Sequence, residues 1–156
     1  MRMNTFRTAP TLIIGVGNRW RRDDGAGPAA AEALAALGLE EVRVLETGGE
    51  GADLLDLWQG AERVILIDAA SGPPAGTIHR FDARQQHLPA DLFGASSHAF
   101  GVAQAVELGR ALGCLPPCLT VYALAGCDFA HGQGLSPEAA TAALALVAEI
   151  VLELGA

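Results

Sequence analysis

The chain contains no lysine, only three cysteines and few aromatic residues, and each shortage removes a class of function. Its ten basic residues are all arginine, set against 18 acids for a formal charge of −8. Nucleic-acid binding needs a basic stripe or face. The only basic cluster here is Arg19, Arg21 and Arg22, so no nucleic-acid partner is expected. Without lysine there can be no Gly-x-x-x-x-Gly-Lys phosphate loop, and Gly-x-Ser-x-Gly and His-Glu-x-x-His are missing as well. Gly15-Val-Gly17 begins like a dinucleotide fingerprint, but Trp20 stands where the third glycine is required.

Cys114, Cys118 and Cys127 are odd in number and match neither a disulfide framework nor a CxxC zinc pair, so they read as reduced thiols of a cytoplasmic protein. No apolar run reaches the ~20 residues that cross a bilayer, because Gly, Asp or Arg interrupts each one. The opening Met1-Arg-Met-Asn-Thr5 lacks the apolar stretch of a signal peptide. A cytoplasmic chain without membrane insertion is expected, with docking to a membrane-bound partner left open.

What is present suits one domain spanning 1–156: 51% hydrophobic and 18% charged residues, enough to offset the entropy of ordering the chain. Residues 11–15 form a short β-branched apolar run that ends at Gly-Val-Gly-Asn, a buried strand entering a turn. An Ala-rich helix follows over 27–37, stopped by Gly38. The alternation repeats with a strand at 42–45, a helix at 52–58 and a strongly buried strand at 64–67. After the turn cluster Gly72-Pro-Pro-Ala-Gly76, residues 77–81 read as an edge strand. A helix over 98–112, a strand at 119–124 and a helix from Pro137 to about 154, with Ser136 as its cap, complete the chain. Strands alternating with helices predict an α/β three-layer sandwich, a mostly parallel sheet with helices on both faces.

In such sheets the functional crevice lies beyond the carboxyl ends of the strands, so polar residues directly after the apolar runs are the candidates. Asp23 and Asp24 follow the first strand; they would complement a helix dipole, or, with Gly17, Gly25 and Gly27 around them, face a ligand at close range. Asp68 directly follows Val64-Ile-Leu-Ile67, where a carboxylate must find hydrogen bonds or a cation, or else cap the Ala69-Ala70-Ser71 turn. His98 stands at the mouth of the third helix. Two carboxylates and an imidazole form an oxygen and nitrogen set suited to a borderline divalent ion with open positions. His79, His87 and His131 have no such company and read as exposed.

Leu12-Ile-Ile-Gly-Val-Gly-Asn18, Asp23-Asp24-Gly25-Ala26-Gly27, Val64-Ile-Leu-Ile-Asp68-Ala69, Ser97-His98 and Gly134-Leu135-Ser136-Pro137 together resemble the maturation endopeptidases of nickel-iron hydrogenases, over nearly the whole chain. The resemblance implies a hydrolase that removes a C-terminal extension from the hydrogenase large-subunit precursor once nickel is inserted. It also implies that Asp24, Asp68 and His98 fall on the family's three metal-contacting positions, with Asp23 as a supporting match. The nickel would arrive with the precursor, so no tightly bound resident metal is expected, and the protease is expected to be a monomer. Such a set can engage a metal held by substrate thiolates while the metal polarises a carbonyl or water; whether Asp24 also acts as general base is open. Two departures bear on substrate choice: Arg19-Trp20-Arg21-Arg22 replaces a more apolar linker, and Glu46 stands where many members carry Asp. The rival readings are an autonomous metallohydrolase with its own zinc or manganese and a non-catalytic nickel-checking chaperone.

Overall fold

A computed structural model describes residues 10–93 and 100–155. Five strands, β1 (Thr11–Val16), β2 (Val42–Thr47), β3 (Arg63–Ala70), β4 (Ile78–Asp82) and β5 (Cys118–Ala125), form one sheet in the order β2-β1-β3-β5-β4. All pairings are parallel except β4 against β5, so the predicted edge strand lies on the edge and runs antiparallel. The helices are α1 (Ala26–Ala36), α2 (Gly51–Leu57), α3 (Val102–Leu112) and α4 (Pro137–Glu153).

Side-chain alternation along the strands divides the core into two layers. Leu12, Ile14, Val64 and Leu66 pack with Leu54 and Trp58 at α2 and with Val106 of α3. Ile13, Ile65, Ile67 and Leu124 pack with Leu34 of α1 and Leu146 and Ile150 of α4. Helices thus cover both faces, as predicted, and β3 is apolar and buried along almost its whole length because it lies between them. The end of α4 is tied to the sheet by Glu153, which accepts from the Tyr122 hydroxyl at 2.5 Å and from Arg80 Nη2 at 2.9 Å.

Two of the boundaries that differ from expectation bear on the site. The strand expected to stop at Ile67 continues to Ala70, because β5 offers Ala123, Leu124 and Ala125 as partners to Asp68, Ala69 and Ala70. Asp68 is therefore inside the sheet rather than just beyond it. The helix expected from His98 begins at Val102, after Gly101 in extended backbone (φ −103°, ψ −158°), whose N–H donates to the Gln104 side chain. His98 itself lies outside the described residues.

The strand order reverses between β1 and β3, where the chain winds one way to β2 and the other way to β5. In an open parallel sheet that switch point leaves a crevice at the strands' carboxyl ends. The loop from β1 to α1 and the end of β3 both border it.

Candidate functional site

The β1–α1 loop is built by close backbone approach. A Cβ on Gly17, whose φ is +146°, would lie 1.9 Å from the Asp24 carbonyl oxygen, and one on Gly27 would lie 2.3 Å from the Ile67 oxygen. These close approaches let the loop and α1 pack directly onto β1 and β3. Within the loop, Asn18 Oδ1 accepts from Trp20 N at 2.9 Å, and Asn18 N donates to Asp24 Oδ2 at 2.9 Å. Among the described residues Asp24 pairs with Arg21, whose Nη1 is 3.9 Å from the same oxygen. Asp24 is only 7% exposed.

Asp23 and Asp24 are neighbours with different roles. Asp23 is fully buried and accepts from Ser136 N at 2.7 Å, Ser136 Oγ at 2.8 Å, Cys127 N at 2.9 Å and Asp128 N at 3.1 Å. Burial works against its charge, but the donors at Ser136, Cys127 and Asp128 outweigh that and hold its carboxyl below the usual range. Asp23 therefore staples the β5–α4 loop to the β1–α1 loop. Ser136 was legible as a helix cap, and it does accept from Ala139 N at 3.3 Å, but its second bond to Asp23 left no local signal in the sequence.

Asp68 is 6% exposed, beside Ala123 in the sheet, and its Oδ1 accepts from Ala69 N at 2.8 Å. Burial pushes its carboxyl up to about 8; the Ala69 N–H pulls the other way, and the charge of Asp24 adds a further push upward. That last influence means the two carboxylates feel one another across the β1–β3 crevice.

The third predicted member, His98, falls in the segment outside the described residues. On either side of that segment, Leu92 O accepts from Ser71 N at 2.8 Å, three residues past Asp68, and Phe100 O accepts from Gly51 N at 2.9 Å. Of the other histidines, His79 is half-buried and stacks on Phe81 with ring centroids 6.3 Å apart. His87 is exposed, its Nδ1 2.8 Å from Glu107 Oε1, and His131 is exposed. Cys114, Cys118 and Cys127 are free and exposed. Among the described residues no group of three His, Cys, Asp or Glu side chains is gathered to hold a metal.

Sequence reasoning treated the Arg19–Arg22 segment and Glu46 as separate departures. They touch: Arg19 Nη2 and Nε reach Glu46 Oε1 at 2.6 and 3.1 Å, while Arg19 Nη1 reaches Glu32 at 3.2 Å. The guanidinium thus joins the β1–α1 loop to the end of β2 and to α1.

Residues 28–153 match the family model described as hydrogenase maturation protease. The chain is 30% identical over 164 residues to the hydrogenase expression/formation protein HupD of Rhodobacter capsulatus, covering 99% of this chain and 75% of that protein. Among solved structures, the nickel-iron hydrogenase maturation protease HybD of Thermococcus kodakarensis superposes with a TM-score of 0.70 at 26% identity, covering 93% of this chain and 98% of that one. The hydrogenase maturating endopeptidase HybD of E. coli gives a TM-score of 0.76 at 24% identity, covering 93% and 91%, a likeness of fold.

Proposed function

This chain belongs to the hydrogenase maturation protease family, and on that premise we propose that it cuts the C-terminal extension from a nickel-loaded large-subunit precursor late in assembly, with Asp24, Asp68 and His98 meeting the precursor's nickel. Membership makes it a hydrolase of the endopeptidase kind.

The observation that carries the reading is the pair of buried carboxylates at the switch point. Asp68 is pushed up to about 8 by burial, to which Asp24 adds, and Asp24 has the Arg21 guanidinium at 3.9 Å, a long contact for an ion pair. Keeping two acids close together out of water is costly unless a cation completes them. A nickel ion carried by the precursor is such a cation, and two oxygen donors with an imidazole suit a borderline divalent metal. Nickel here is part of the substrate, so its presence on the precursor becomes the condition for productive binding. The protease then tests whether insertion has occurred before it cuts.

The same reading sets the protein in the cytoplasm, supported by three exposed free thiols, which persist in a reducing compartment. No described helix is long and apolar enough to cross a membrane. The experiment is to incubate the protein with nickel-loaded and nickel-free precursor and weigh the products by mass spectrometry. Shortening of the loaded form alone is expected; a precursor of unchanged length in both arms would overturn the endopeptidase reading.

A further inference from the structure

Trp20 is 64% exposed in a chain with only two tryptophans, the other of which, Trp58, is buried in the core. Leaving an indole in water forfeits a large apolar contact, and no packing need of the fold accounts for it. The side chain is nevertheless carried on a well-held loop. Trp20 N donates to Asn18 Oδ1, and Trp20 O accepts from Gly132 N at 2.8 Å. On its two sides, Arg19 is tied to Glu46 and Glu32, and Arg22 is paired with Asp128 at 3.5 Å.

Trp20 and Arg19 also form the wall shared by two grooves. One, of about 390 Å³, is lined further by Arg22, Ala29 and Leu135. The other, of about 500 Å³, runs over Gly17 and Asn18 to Glu46 and Glu50. Asn18 is the residue whose N–H holds Asp24, so the second groove opens beside the candidate site. The charged side chains lining the first groove are both arginines, on a molecule of net charge −8.

We infer that Trp20, flanked by Arg19 and Arg22, is the anchor on which the precursor docks, its ring covered by an apolar side chain of a precursor segment that carries an acidic neighbour. This rests on the endopeptidase reading for the identity of the partner. Tryptophan and arginine dominate the energetics of protein contacts when they stand at the centre of a groove rimmed by polar groups. The Arg22–Asp128 pairing at 3.5 Å is long for an ion pair, so an acidic neighbour on the incoming segment competes with Asp128 for the guanidinium. The Arg19–Glu46 bridge fixes the wall between the grooves, and the two departures from the family pattern act as one specificity element.

The test measures binding of nickel-free precursor, which on this reading is not cut, to the otherwise unaltered protease and its Trp20 variants, together with their steady-state processing of nickel-loaded precursor. Trp20→Ala should weaken binding about tenfold or more, with the loss falling on KM rather than on kcat, and Trp20→Phe should recover part of it. Leu152→Ala removes another exposed apolar side chain, 78% exposed near the end of α4, and should leave binding as it was. Thermal melts accompany each variant. Unchanged affinity in Trp20→Ala, or a loss confined to kcat, would overturn the inference. So would a parent that self-associates through Trp20 and becomes monomeric in Trp20→Ala, which would give the surface to a second copy of the chain. If the unaltered protein binds precursor through Trp20 but never shortens it, the docking inference stands and the endopeptidase reading fails.

Discussion

Asp23 and Asp68 are both buried carboxylates, and their surroundings drive them in opposite directions. The folded pKa of Asp68 is raised above its unfolded value, so the folded state holds a proton that the unfolded chain gives up, and stability falls as pH rises from about 4 to about 8. Asp68→Asn keeps an oxygen for the Ala69 N–H and removes the charge. It should abolish processing while melting higher than the parent at pH 8, by on the order of 1–3 kcal/mol, a difference that closes toward pH 4. Lower stability across the whole range would mark Asp68 as a structural cap. Asp23 has a folded pKa below the ordinary carboxylate value, so its contribution is present at neutral pH and is lost as pH falls through that folded pKa. Asp23→Ala strands the donors of Ser136, Cys127 and Asp128 and should cost about 2–4 kcal/mol at pH 7 by chemical denaturation. Its loss of processing should follow its loss of stability, unlike that of Asp68→Asn. The adjacent acids Asp23 and Asp24 were alike on paper; their difference arises because the β5–α4 loop, more than a hundred positions away, donates to the first and not to the second.

At the level of elements, α1 is seated by a steric constraint. A methyl on Gly27 would meet the Ile67 and Val16 carbonyl oxygens at 2.3 and 2.5 Å, and backbone oxygens of two central strands cannot step aside. Gly27→Ala should therefore push the start of α1 off the sheet, costing about 2–4 kcal/mol and reducing processing, since Asp24 lies just ahead of the helix. Gly48→Ala, at a position with nothing within 4 Å of the added methyl, should stay within about 0.5 kcal/mol of the parent. Melting both variants side by side checks the contrast. The strands and helices were readable because β1, β3 and β5 are built on buried apolar runs and because Ser136-Pro137 is a strong local start. The extension of β3 to Ala70 was not readable, since Asp68 is a poor strand residue by its local chemistry and is held in the ladder by its neighbour β5.

For the whole molecule, the proposed nickel contact raises the question of whose metal it would be. The proposed set of Asp24, Asp68 and His98 includes no thiolate and draws on separate parts of the chain, so it would make a weaker site than the closed Cys/His sets of structural zinc. Elemental analysis of the purified protein should find metal well below one equivalent, and cleavage should require nickel on the precursor. Stoichiometric, tightly held zinc, or equal cleavage of nickel-free precursor, would favour an autonomous metallohydrolase. Size-exclusion chromatography should give a monomer.

The sequence by itself determined the fold class, because apolar runs of strand length alternating with helical stretches admit few arrangements other than a covered parallel sheet. It also singled out Asp68 and the pair Asp23 and Asp24, because acids that follow buried apolar runs stand out against their neighbours, while the choice of Asp24 within the pair came from the family resemblance. Which side chains meet was decided only by the tertiary structure. The reversal of strand order between β1 and β3 brings Asp24 within electrostatic reach of Asp68. The return of the chain after β5 converts Asp23 into a staple. The bend of the β1–α1 loop joins Arg19 to Glu46 and leaves Trp20 facing water. Each of these pairings joins residues whose spacing along the chain carries no period, so no local pattern could encode them.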